Sequence, residues 1–505
     1  MADQRPDQRP DRHSDRQRHN IAVALRHSGL TTKELWVRYV ALGGDAGLTE
    51  VAAYVHGAGG LPPLQRDVLA RAVNERLDES APPHRADYSR LTRETRPHGQ
   101  ALSALVALLE GAELAPPDRL TTLVDTAARM LDLRITMYLV DYEERHLHRW
   151  PAHSDLDNDP DGNSDGDHGR TRLGVDSTLA GRAFRQVRAL PARNPDHPRL
   201  WVPLVDGVER LGVLDVRVDE VSDLDDPGLR TQCRWLSMLV GHLVTLLDKY
   251  GDAVDLVRQT TRRTVGGELI WSLLPPPTAG VDSFVVTGVV EPRHAVSGDA
   301  FDYSLSETTA TLIVLDAVGH NLRSGLIAAT ALAAHRHARH AGQDLAAQAR
   351  TVDETISAQF GRSTFATAVL AEVDLATGRL RYLNAGHPEP LIMRGGRVVK
   401  PLTAGHAPPL GVGIGDRAVA EEVLQPYDWL VLYTDGITEA RNARGEFFGE
   451  ARLTDFLHRE AAAGNPPPET ARRLIQAILT HQGGVFQDDA TVVLARWTHP
   501  QALLP

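Results

Sequence analysis

The apolar positions of this chain change rhythm several times, and the changes divide it. Residues 1 to 25 are rich in Asp, Arg and His and read as a disordered polar tail. From Thr32 to Leu42, the spacing of Leu35, Trp36, Tyr39 and Val40 puts apolar side chains on one helical face, and Gly43-Gly44 ends the run. Two further helical stretches, 64 to 78 and 100 to 111, complete a small helical region over residues 26 to 112. From Asp118 an α/β rhythm takes over. A helix through Leu123, Val124, Ala127 and Met130 leads to a strand at Arg134 to Val140; later runs at Leu200 to Val205 and Leu211 to Val218 flank the turn Asp206-Gly207, and an apolar helix follows from Arg230 to Leu247.

Residues 249 to 275 form a helical connector, weakened at Gly266-Gly267 and ended by Pro275-Pro276-Pro277. Strand patterns then dominate: Phe284 to Val290, Thr311 to Leu315, Phe365 to Asp374 turning through Ala376-Thr377-Gly378 into Arg379 to Asn384, Pro390 to Met393, Trp429 to Tyr433 and Thr491 to Ala495. Helices are predicted at 323 to 341, 342 to 359, 451 to 461 and 468 to 481. Antiparallel hairpins covered by helix pairs make the expected class α+β.

Composition narrows the function classes. The 505 residues are 42% hydrophobic, enough for several cores. A net charge of -12 argues against a general nucleic-acid binder, which needs concentrated Lys and Arg. Cys233 is the single cysteine, so an internal disulfide and a Cys-rich zinc site are both excluded, and its apolar helical setting makes it a core residue. No apolar signal core opens the sequence and no run approaches 18 apolar residues, so the expectation is a soluble, cytoplasmic protein away from the membrane.

Four acidic stations recur at strand-like positions: Ser297-Gly298-Asp299-Ala300-Phe301-Asp302, Asp316-Ala317-Val318-Gly319-His320, Tyr433-Thr434-Asp435-Gly436 and Gln487-Asp488-Asp489-Ala490-Thr491. Any one Asp-Gly is a turn signal. Four in this order predict carboxylates converging on hard cations, Mg²⁺ or Mn²⁺. Elsewhere, the acidic run Asp155 to Asp165 matches the first half of a Ca²⁺ loop, but His168 stands where a bidentate Glu is needed, so it reads as a flexible insertion. The arginines between Arg85 and Arg96 alternate with acidic residues and read as a solvated connection. His335, His337 and His340, with Arg336 and Arg339, read as a solvated basic helix face.

With Phe365-Ala366-Thr367-Ala368, Asn384-Ala385-Gly386-His387-Pro388, Pro409-Leu410-Gly411 and Leu432 to Ala440 added, residues 270 to 496 resemble the SpoIIE/RsbU-like branch of the PPM (PP2C-type) serine/threonine phosphatases. The resemblance implies a β-sandwich flanked by helices, over residues 276 to 498, with two Mn²⁺ or Mg²⁺ ions at one end. It implies Asp299, Asp316, Asp435 and Asp488 as metal ligands, with Asp316 bridging and the carbonyl of Ala317 assisting. Asp489 would orient its neighbour, and Asp302 would act through water. His320 suits proton transfer to the leaving oxygen, although it stands four residues after Asp316; His387 reads as a turn or packing residue. Ser297 and Ala317 stand where many relatives have Gly, and Ala317 raises the question of whether its turn needs a positive φ.

Residues 118 to 248 resemble a GAF sensory domain, mainly through Trp201-Val202-Pro203-Leu204 and Gly212-Val213-Leu214, and that resemblance implies either small-ligand binding or homodimerisation through flanking helices. The implied substrate is a phosphorylated anti-sigma-factor antagonist of STAS type. The alternative is a non-catalytic scaffold that keeps the phosphatase fold without productive metals.

Overall fold

A computed structural model describes residues 12–80, 99–150, 172–260, 263–293, 296–319, 321–361, 363–413 and 417–498. The acidic run at 155 to 165 and the arginines at 85 to 96 lie outside the described residues, as does His320. By internal packing the chain divides into two units, residues 1–97 with 225–232, and 98–224 with 233–505.

In the first unit, helices α1 (Arg12–Ser28), α2 (Thr32–Ala41), α3 (Leu48–Val55) and α4 (Pro63–Ser80) enclose a core of Ile21, Leu35, Tyr39, Val51, Tyr54, Leu69 and Val73. Thr31 and Glu34 close a reciprocal capping box at the start of α2. Part of the stretch that reads as a polar tail is therefore helical: Ile21, Ala24 and Leu25 are buried, and their spacing gives α1 an apolar stripe among its Arg and His residues.

The second unit opens with α5 (Gly99–Ala112), α6 (Leu120–Met130), β1 (Arg134–Val140), β2 (His146–Arg149), β3 (Arg172–Gly174), α7 (Leu179–Gln186), β4 (Leu190–Ala192), β5 (Arg199–Asp206), β6 (Glu209–Arg217) and α8 (Pro227–Leu247). The strands make one antiparallel sheet in the order β3-β2-β1-β6-β5-β4. Helix α8 lies close on β5 because Gly241 has no side chain: a Cβ there would stand 2.0 Å from the Val205 carbonyl oxygen. Cys233 on α8 is buried.

The connector holds two short helices, α9 (Ala253–Arg258) and α10 (Val265–Trp271). Gly266 and Gly267 do not interrupt α10. They form its first turn, capped by Thr264, and a Cβ on Gly266 would stand 2.2 Å from Val296 Cγ2, so the glycine serves close packing. Arg263 lies 3.9 Å from the Trp271 ring centroid and 4.6 Å from that of Tyr142, whose ring meets Trp271 edge to face at 4.8 Å.

A helix-flanked β-sandwich follows: β7 (Thr278–Val281), β8 (Phe284–Glu291), β9 (Asp299–Leu305), β10 (Thr309–Ala317), α11 (Leu322–His340), α12 (Leu345–Phe360), β11 (Ala366–Asp374), β12 (Arg379–Ala385), β13 (Leu391–Arg394), β14 (Arg397–Pro401), β15 (His406–Ala407), β16 (Ala420–Val423), β17 (Trp429–Tyr433), α13 (Asp435–Thr438), α14 (Gly449–Ala462), α15 (Pro467–His481) and β18 (Ala490–Trp497). One sheet runs β15-β12-β11-β10-β9, with β16 on β12; the other runs β14-β13-β17-β18-β8-β7. Alternation along β10 sorts the packing. Leu312 and Val314 point between the sheets with Phe301, Leu432 and Val493, while Ile313, Leu315 and Ala317 pack with Ile327, Leu332 and Val352 of α11 and α12. The outer face of the second sheet packs on Leu453, Leu457, Leu474 and Ile478 of α14 and α15. Each such buried side chain contributes roughly 1.5–3 kcal/mol of transfer free energy.

Within this unit a buried charge network joins the first sheet to α15. Arg210 of β6 donates to Glu469 at 3.1 Å and to Glu144 at 2.6 Å, and Arg472 holds both Glu469 (2.8 Å) and Asp176 (2.8 Å). Arg210, Glu469 and Arg472 are each 2% exposed, so this network excludes water at its centre.

Candidate functional site

Asp299 begins β9 and Asp316 lies one residue before the end of β10, and the antiparallel register sets them directly opposite each other. Both share strand parity with the residues that point between the sheets, Phe301 on β9 and Val314 on β10. Asp435 follows β17 at the start of α13, and Asp488 precedes β18, its neighbour in the second sheet. All four thus come from strand ends at one mouth of the sandwich.

Their fields overlap. Burial raises the Asp299 carboxyl well above the usual range, Asp316 adds to the rise, and the hydrogen bond from Thr434 opposes it. Burial also pushes Asp316 up to about 7, helped by Asp435, Asp488 and Asp489. Asp435 is raised by desolvation, then by Asp488 and Glu439. Among the described residues, no three His, Cys, Asp or Glu side chains are arranged to hold a metal ion as they stand.

Backbone fit keeps the mouth narrow. A Cβ on Gly298 would stand 2.7 Å from the Ala317 carbonyl oxygen, and one on Gly436 would stand 1.8 Å from that of Asp489. The positive φ of the turn after β10 falls on Gly319, at 99°, and Ala317 needs none, which removes the strain its side chain suggested. Ser297 has a use of its own: its Oγ accepts the Asp299 amide at 3.0 Å. Asp489 is buried and accepts from the Gly298 amide (2.7 Å) and the Arg293 amide (2.8 Å), tying the loop before β9 to β18. Thr434 donates to Asp299 Oδ2 at 2.7 Å. Sequence reasoning passed over Thr434, although it stands between an apolar strand and an Asp-Gly pair, where a hydroxyl has no turn role to fill.

Two expectations are corrected. Asp302 lies three residues after Asp299 and so on the other face of β9; Arg336 binds it at 2.7 Å and Arg339 at 3.0 Å, away from the mouth. The basic face of α11 is only partly solvated: His335 is buried, and burial pulls its imidazole down to about 4, while both arginines are paired with Asp302. His387 is buried too, its ring pulled down to about 3 by burial, its Nδ1 2.8 Å from Thr367 Oγ1 and its backbone held by Asn384.

Residues 306–498 match the family model described as Stage II sporulation protein E (SpoIIE). Protein IcfG of Synechocystis sp. is 30% identical over 147 residues, 28% of this chain and 23% of that protein. Phosphoserine phosphatase RsbP of Bacillus subtilis is 27% identical over 150 residues, 28% of this chain and 37% of that protein. Among solved structures, the SiaA-PP2C domain of Pseudomonas aeruginosa is similar at 27% identity and a TM-score of 0.38, covering 42% of this chain and 85% of that one. The chain spans well under two thirds of the length of either curated relative. The family match thus falls on the C-terminal part of the chain, across most of the sandwich.

Proposed function

We propose that residues 276 to 498 hydrolyse phosphoserine or phosphothreonine on a folded regulatory protein, an anti-sigma-factor antagonist of STAS type, under the control of a GAF-like sensory or dimerising domain at 118 to 248. The observation that carries this reading is the opposed pair of buried Asp299 and half-buried Asp316 at a sandwich mouth, with Asp435 and Asp488 in the field of Asp316. Facing carboxylates are costly unless a cation or a proton lies between them, and an all-oxygen donor set suits Mg²⁺ or Mn²⁺. Asp299, Asp316, Asp435, Asp488 and the Ala317 carbonyl would hold two such ions. When bound, they would supply charge neutralisation for the phosphoryl oxygens and activation of water.

The chain's own groups do the rest. Asp489 and Ser297 fix the loop that presents Asp299. His320, just after the Gly319 turn, would give a proton to the departing serine or threonine oxygen. No protein nucleophile is required, in keeping with the position of Cys233 in the α8 core. The chain's charge of -12 leaves nucleic acid an unfavoured partner, and among the described residues no helix is long and apolar enough to cross a membrane; cytoplasmic action on a protein substrate follows from this reading.

One observation favours the scaffold alternative: the acidic groups are not in a chelating arrangement among the described residues. Incubation with phosphorylated STAS proteins in Mn²⁺, read by intact mass, separates the two. Loss of the phosphoryl mass supports hydrolysis, and stable binding of the phosphoprotein without loss supports the scaffold.

A further inference from the structure

We infer that Thr434 is a positioning residue for Asp299: its hydroxyl commits one carboxylate oxygen to the protein and leaves the other as the oxygen that ligates. This rests on the metal-centre reading above. Thr434 directly follows β17 in one sheet, and Asp299 begins β9 in the other. The 2.7 Å bond between them therefore crosses the sandwich at its mouth, joining positions 135 residues apart. Thr434 is fully buried and Asp299 nearly so, which keeps water from replacing either partner.

With Asp299 as the carboxylate that a metal requires, the direction of the bond is fixed. The Thr491 amide donates to Thr434 Oγ1 at 3.0 Å, and an amide cannot accept, so the hydroxyl's single hydrogen is free for Asp299 Oδ2. The Thr434 amide in turn donates to the Thr491 carbonyl at 3.0 Å, which fixes the hydroxyl's own backbone against β18. A donor held in this way selects one rotamer of Asp299. Asp489, by contrast, makes its hydrogen bonds to the backbone around Asp299, at the Gly298 and Arg293 amides.

The test uses the full chain, with Mn²⁺ binding followed by titration calorimetry and the metal-free fold by thermal melting. Thr434→Val keeps the shape and removes the donor, and it is expected to weaken Mn²⁺ binding by ~10–100-fold. Thr434→Ser keeps the donor and is expected to bind as the wild type does. In an Asp299→Asn background, Thr434→Val is expected to add no further loss. If Thr434→Val fails to fold, Thr434→Ala removes the same donor with less bulk and carries the same expectation. Wild-type affinity in the folded donor-less variant, equal losses in Val and Ser, or additive loss in the Asn background would each overturn the proposal. A wild type that takes up no Mn²⁺ overturns the metal-centre reading along with it, whereas normal Mn²⁺ uptake with an indifferent Thr434→Val overturns this proposal alone.

Discussion

Asp316 stands directly across β9 and β10 from Asp299, an arrangement of like charges that a sheet ordinarily avoids. With no cation present the pair is a local weakness in the strand ladder. Asp316→Asn removes the repulsion, so it is expected to raise the melting temperature of the metal-free protein, with a gain of ~1 kcal/mol, while lowering turnover by ~100-fold or more. Asp435→Asn is the companion: its side chain is exposed, so turnover should fall with little change in melting. A lowered metal-free melting temperature for Asp316→Asn, or near-normal turnover for either variant at low metal, would sink the assignment.

A second prediction concerns the charge network on α15. Glu469 is the shared partner of Arg210 and Arg472, all three buried, so Glu469→Ala leaves the first guanidinium with the Glu144 carboxylate alone and the second with the Asp176 carboxylate alone. Removing the one partner of a buried ion costs ~3–5 kcal/mol, and the remaining carboxylates offset part of that here. Urea unfolding of the full chain should show that loss, and replacing Arg472 and Glu469 together by Met should recover much of it. Equal midpoints for Glu469→Ala and wild type would mean that water already solvates these groups.

The connector offers a third. Leu269 lies within α10, where proline removes an amide donor and clashes with the preceding turn. Leu269→Pro is expected to leave the sandwich folded and to break the dependence of phosphatase rate on residues 1 to 250. Full chain, Leu269→Pro and a 270 to 505 fragment are compared on one phosphoprotein. Three identical rates would leave the N-terminal half without a regulatory part.

Glu291 supplies a pH dependence. Burial pushes its carboxyl up to about 7, and Glu143 and Asp141 add to the rise against Arg145. The folded state therefore holds a proton that the unfolded chain, near its ordinary value of 4.5, releases earlier. Between 4.5 and about 7 the folded state binds more protons, so stability falls as pH rises through that window and levels off above it. Glu291→Gln should melt with the wild type at the acid end and above it at pH ~8. A constant difference across the range would remove Glu291 as the cause.

What the sequence could and could not reveal follows from the range of each interaction. Strand ends were legible at three of the four acidic stations because a continuous apolar run of strand type lies beside each. The displacement of Asp302 was legible too, since an odd spacing from Asp299 puts it on the opposite face. His335 falls in register with Ala328, Ala331 and Leu332 on α11, so its burial could have been read from helical spacing, but the neighbouring arginines drew the eye to solvent. Helix α3 was missed because its eight residues give too short a pattern to separate from a loop. The bond from Thr434 to Asp299 was beyond reach: it depends on how two sheets stack, and no local pattern encodes that.

The end of the connector is gripped at both sides. Trp271 rests against Tyr142 in the turn between β1 and β2, while two residues later the Leu273 carbonyl accepts from Arg336, the same guanidinium that binds Asp302 on the strand beginning at Asp299. Any coupling carried by these contacts is reciprocal by thermodynamic linkage. If a molecule bound near Tyr142 shifts the occupancy of the sandwich mouth by some factor, then filling the mouth must shift that molecule's affinity by the same factor. The lobe carrying Tyr142 would then register whether the mouth is filled, and a ligand for that lobe is best sought both with the mouth filled and with it empty.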